Sequence, residues 1–167
     1  MDPLSITTAC VSLVSTITST SLIVIRFVKD VRAARSDLDA VSRELQSLGM
    51  LLELLADDVN GPTNESIPQT LQKKISRIIG NCTKVVEDIQ QTLKKHEGGA
   101  LNKAAKWVAS GQSDVSKLQS RLEAHKSALE IALDMVTLTL AREIKAEGKE
   151  GKLEQVLEHK DHTEFID

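Results

Sequence analysis

The chain has no tyrosine at all, and its aromatic residues number two Phe and one Trp. A core must therefore be built from Leu, Ile and Val. Proline is equally scarce, at three residues, so long segments carry nothing that would break a helix. Two cysteines, Cys10 and Cys82, are too few for a disulfide framework. Both fall on apolar helical stripes and read as small buried hydrophobes in a reducing compartment. A net charge of −3 gives the whole chain no nucleic-acid signature. There is no phosphate-binding Gly-rich loop, no dinucleotide turn and no zinc-type cysteine spacing. No Ser, Cys or carboxylate has a convincing catalytic partner, so no enzyme is expected, and no cofactor. His159 and His162 flank a charged pair in the tail, a spacing that a charged terminus produces by chance, and no metal site is read from them. The Asn64-Glu65-Ser66 sequon is read as accidental, because nothing suggests secretion.

The most telling absence is local. From Leu4 to Ile25 there is no charged residue, and Ser or Thr fills ten of the twenty-two positions. As a helix this run spans about 33 Å, roughly the thickness of a hydrocarbon core. Asp2 followed by Pro3 is a good helix opening: a carboxylate for the free N–H groups, then a residue whose missing N–H costs nothing. Ile6, Cys10, Leu13, Ile17, Val24 and Phe27 follow three- and four-residue steps and form one stripe. Ser5, Thr8, Ser12, Ser15 and Ser19 form a second, hydroxyl face. On a water-facing bundle helix that face would carry Lys and Glu. Hydroxyls can bond back to the carbonyl one turn earlier, and small residues four apart let helices approach closely in lipid.

This run is a poor signal peptide, since Met-Asp-Pro supplies no positive charge. It is also a marginal permanent span: its ten strongest apolar residues contribute about −3 to −6 kcal/mol before the hydroxyls are counted. A plain reading makes it a central helix buried on most sides. A sharper one adds a second, membrane-inserted state using Leu4, Ile6, Cys10, Val11, Leu13 and Val14, then Ile17, Leu22, Ile23, Val24 and Ile25. Directly after it come Arg26, Lys29, Arg32 and Arg35, with Asp30 the one anion among them, a local charge of +3. They are either a solvated face or a collar meeting anionic lipid heads.

The rest reads as helices. Ser36 is placed as a cap, with Asp37 and Asp39 in the first turn. Leu38, Val41, Leu45, Leu48, Leu52, Leu55 and Val59 then give a strict heptad seam, which Met50 and Leu51 widen. Asn60-Gly61-Pro62 ends the helix, and residues 60–67 form a polar loop. Pro68 opens the next helix, with Leu71, Ile75, Ile78, Cys82, Val85, Ile89 and Leu93 inward. Its last turn holds Lys94, Lys95 and His96, and Gly98-Gly99 stops it. Residues 100–110 are a short helix in which Trp107 is a core lid or an interfacial anchor. Ser113 caps the last long helix, whose stripe is Val115, Leu118, Leu122, His125, Leu129, Ala132, Val136 and Leu140, broadened by Ile131 and Leu133. His125 reads as a satisfied core histidine. The helix is expected to end near Gly148. The reading is one all-α antiparallel bundle of four long helices and one short one, a domain over residues 1–147 with a charged tail or linker over 148–167.

Met1-Asp2-Pro3-Leu4-Ser5-Ile6, the Ser/Thr/Val helix, the leucine seam after Ser36, Trp107-Val108 and the segment Leu118 to Leu133 resemble the fungal N-terminal domain of signal-transduction NTPases, one of the HeLo-like group. The likeness covers roughly residues 1–140. It implies a helical bundle, cytoplasmic at rest, that relocates to the cell membrane and kills the cell through its inserted first helix. That logic is similar to the HET-S HeLo domain of heterokaryon incompatibility, the necroptosis executioner bundle and the coiled-coil domain of plant immune receptors. The partners implied are anionic lipid and further copies of the chain on activation, and an upstream NLR-type receptor. Larger members continue into NACHT, ankyrin or WD-repeat regions. The tail of this chain shows no β-prone amyloid motif. The alternatives are a non-lytic oligomerisation module of such a receptor, and a permanent single-span anchor bearing a cytosolic bundle.

Overall fold

The computed structural model describes residues 3–60, 67–97 and 103–161. Helix α1 runs Pro3–Asp30, α2 Arg35–Val59, α3 Gln69–Glu97 and α5 Gln112–Asp161. Between α3 and α5 the expected short helix is a single turn, α4 (Lys103–Lys106), continued by one π-turn over Trp107–Gly111. The protein is thus an all-α bundle of four full helices. Asp2 lies outside the described residues, and Pro3 is the first helical residue.

The heptad seam of α2 is buried in full. Residues at steps of 3 and 4 return to one face of a helix, and this face is closed by α1 on one flank and α5 on the other. In α3 the inward isoleucine is Ile79 rather than Ile78, which is half-buried, and Val86 joins Val85 inside. In α5 the stripe holds through Val136, but His125 and Leu140 are only half-buried and Ile131 points to solvent. Met50 is exposed as well, so it does not widen the α2 seam. Ile67, expected in a polar loop, is buried, and its carbonyl accepts a hydrogen bond from Gln72 Nε2 at 2.9 Å.

Helix boundaries depart from expectation where neighbouring helical turns replace side-chain caps. A 3-10 turn over Arg32–Ala34 leads straight into α2, whose cap position is Ala34, without a side-chain cap bond. Ser36 is therefore inside the helix. Ser113 is inside α5 for the same reason, since the π-turn feeds it directly. Gly148 does not end α5, which continues to Asp161. An added methyl there would meet nothing within 4 Å, so this glycine answers no close approach.

The packing order follows from which helices touch. α1 packs on α2 and α3, and α5 packs on the same two, so α1 and α5 are diagonal, as are α2 and α3. Consecutive helices run in opposite directions. At one end the Thr7 hydroxyl donates to Asn60 Oδ1 at 3.0 Å; at the other Asp30 pairs with Lys103 at 3.2 Å. Fifty residues make α5 about 75 Å long against about 44 Å for α3. Its end opposite Asp58, where Thr137 bonds that carboxylate at 3.3 Å, therefore carries a helical extension past the bundle.

The end of the bundle nearest the α1–α2 corner is closed by an aromatic group. Trp107 is buried, its ring centroid 5.1 Å from Phe27 and 6.0 Å from the edge-on imidazole of His96. Its indole N–H donates to Asp37 Oδ2 at 3.2 Å, and Gln112 Nε2 donates to the other oxygen of that carboxylate at 3.3 Å. Trp107 is thus a lid of the core. His96 is buried beneath it rather than displayed at the helix end.

Candidate membrane-insertion site

The residues read as membrane-inserting divide into two sets on α1. Ile6, Cys10, Leu13, Ile17 and Val24 are buried against α2 and α3, and Val14 and Ile23 are half-buried. Val11, Leu22 and Ile25 face solvent, at 63, 53 and 51% exposure. Leu4 belongs to α1, but its side chain lies outside the described set. Burial removes water from both thiols and pushes Cys10 and Cys82 up to about 11, so neither is poised as a nucleophile.

α1 is long and apolar enough, by length and composition, to cross a membrane: an 18-residue window within Ser5–Asp30 reaches a mean hydropathy of 1.8. Only 28% of that window is buried, which corrects the picture of a central helix covered on most sides. The diagonal packing explains it, because α1 has two helical neighbours and an open outer side.

That outer side carries the hydroxyl face. Thr8, Ser12, Ser15 and Ser19 are exposed and Ser5 is half-buried. The Ser19 hydroxyl donates to Ser15 O at 3.1 Å, and those of Thr16 and Thr18 to Ser12 O and Val14 O at 3.1 and 3.0 Å. Of the hydroxyl face, Ser19 is thus satisfied within the helix itself, as are Thr16 and Thr18 beside it.

One residue of α1 escaped the sequence reading. Thr20 is fully buried, donates to Thr16 O at 2.7 Å and accepts from Gln90 Nε2 of α3, also at 2.7 Å. The signal was a gap: the inward rhythm jumps seven residues from Ile17 to Val24, and Thr20 fills that gap in steps of three and four. This bond between a buried hydroxyl and a half-buried amide ties α1 to α3 in one register.

The collar residues Arg26, Lys29, Arg32 and Arg35 are all exposed. They do not lie on one continuous helix: α1 ends at Asp30, and Arg32 and Arg35 belong to the 3-10 turn and the start of α2. The turn folds Lys29, Arg32 and Arg35 around one groove, whereas Arg26 stands apart from it. Among the described residues no cluster of metal-ligating side chains occurs; the side chains of His159 and His162 are outside that set.

Bundle, lid and open-sided first helix define an all-α helical domain whose α1 is part of the core and also long and apolar enough to cross a membrane. The family model of the pigment biosynthesis cluster protein PigL N-terminal region matches residues 1–160, and the chain belongs to that family. No curated protein and no solved structure matches it.

Proposed function

We propose that this chain is a HeLo-like cell-death or innate-immunity domain, resting in the cytoplasm with α1 packed and acting at the cell membrane when α1 is released, inserts and permeabilises the bilayer in an oligomer. The observation that carries the reading is the uncharged, solvent-facing side of α1, where Val11, Leu22 and Ile25 stand beside the exposed hydroxyls of Thr8, Ser12, Ser15 and Ser19. Water does not require that composition, since lysine is a better helix former than serine and aids solubility. Lipid does require it. The collar supplies the first electrostatic attraction to anionic headgroups, and the mode of action is non-enzymatic.

The test is a double substitution on the exposed face, Ser12→Lys with Ser15→Lys. In water both lysines are harmless. Near a bilayer centre each costs about 2.5–3.5 kcal/mol, a sum comparable to the whole apolar gain of the helix. Circular dichroism is expected to match wild type while leakage of dye from anionic liposomes is lost. Leakage at the wild-type rate by the folded variant would sink insertion.

A second reading is a non-lytic interaction module of an NLR-like receptor. It draws on exposed apolar rows elsewhere: Met50 and Leu54 on α2, and Ile131, Met135 and Leu138 on α5. A permanent anchor fits less well, because withdrawing α1 for good would leave the inward faces of α2 and α3 uncovered.

A further inference from the structure

The four basic residues after the uncharged run are not equivalent. Lys29, Arg32 and Arg35 line an open groove of about 1020 Å³ at the corner of α1 and α2, and Arg26 does not. Val24, Ile25 and Val28 give the groove an apolar wall, and Asp39 and Ser42 of α2 complete it. Three cations and one carboxylate leave it a charge of +2. Among the described residues none of the three cations is held in an ion pair. Unneutralised charge in a concave, partly apolar site focuses the local field on a small anion.

We propose that this groove docks the headgroup of an anionic lipid ending in a phosphate monoester. A phosphate monoester carries about −1.5 to −2 charge at neutral pH, which matches +2; a phosphodiester, at about −1, leaves the groove half-neutralised. The phosphate meets Lys29, Arg32 and Arg35. The lipid's apolar root follows the valine–isoleucine wall, in which Ile25 is exposed and beyond which Leu22 is exposed as well. Because both helices build the groove, it exists only while α1 is packed. The lipid therefore reads the resting bundle and stabilises it, as any ligand of one state must. The inference rests on the membrane reading above and adds to it a specific lipid and a step before insertion.

The experiment uses the full chain with phosphatidylcholine vesicles containing either phosphatidic acid or phosphatidylserine, matched in surface potential. Several-fold tighter binding to phosphatidic acid is expected. Arg32→Gln with Arg35→Gln is expected to abolish that preference with the fold intact by circular dichroism, and Arg26→Gln, in the collar but outside the groove, to weaken binding to both lipids alike without changing their ratio. Equal binding to both lipids, or a preference that survives the double variant, overturns the groove. A rise in melting temperature with glycerol 3-phosphate, without any vesicle preference, overturns the lipid assignment in favour of a soluble phosphomonoester. Leakage is measured on the same vesicles. A preference without leakage leaves the groove standing and removes permeabilisation; leakage without preference does the reverse.

Discussion

At the scale of single residues, the corner of the bundle turns on Gly111. An added methyl there would come within 2.5 Å of Trp107 Cε3, and the indole cannot retreat because it is buried against Phe27 and His96. The π-turn that carries both residues is what brings the indole over the glycine; such turns lodge one extra residue in a helix. Gly111→Ala is therefore expected to destabilise the protein by about 1–3 kcal/mol, the range for overpacking a filled core. Urea denaturation measures it, with Trp107 fluorescence as the probe. A midpoint equal to wild type would mean that the lid is loosely seated. None of this was legible in the sequence. Trp107 as a lid could be read there, but a π-turn has no residue signature, and nothing in the sequence sets Gly111 under the indole.

At the scale of elements, α1 sets two neighbouring positions against each other. Leu13 is buried at 1% exposure, while Ser12 beside it faces water. Leu13→Asp places an unpaired carboxylate between α1, α2 and α3 and is expected to cost about 3 kcal/mol or more, lowering the melting temperature sharply. Ser12→Lys is expected to change it little. Calorimetry of the two variants decides the matter, and a Leu13→Asp melting temperature equal to wild type would put α1 outside the core. Stripes of this kind were largely legible. A strict 3-4 alternation fixes a face, so the α2 seam needed no correction, and the α1 stripe needed only Thr20 in its seven-residue gap. Where the repeat drifts, as at Ile78 and Ile79 of α3, a helix of 3.6 residues per turn makes adjacent positions compete, and only the neighbouring helix decides. Of the candidate site, the hydroxyl face and the collar were legible as patterns. The groove was not, because it depends on the turn after Asp30 that folds Arg32 and Arg35 back toward Lys29.

At the scale of the whole molecule, the helices form a ring of contacts in which α1 touches α2 and α3, and α5 touches the same two from the opposite corner. Since α2 and α3 are diagonal, α1 and α5 are the long helices that hold them together among the described residues. Release of α1 opens the ring along one side and uncovers the inward faces of α2 and α3, whose Leu45, Leu48 and Leu52, and Cys82, Val86 and Ile89, are fully buried at rest. An apolar seam of that length does not stay in water. In the mechanism we propose it closes on the same seam of another copy, so that insertion and oligomerisation would be two consequences of a single opening. A chain lacking residues 1–30 imitates the released state. It is expected to keep most of its helical circular dichroism, bind a hydrophobic dye such as ANS and associate in a concentration-dependent way, while the full chain does neither of the last two. Sedimentation velocity across a tenfold concentration range reads the association. A truncated chain that stays monomeric, dark to the dye and cooperative in melting would show that α2, α3 and α5 close by themselves, and the coupling of release to assembly would fall with it.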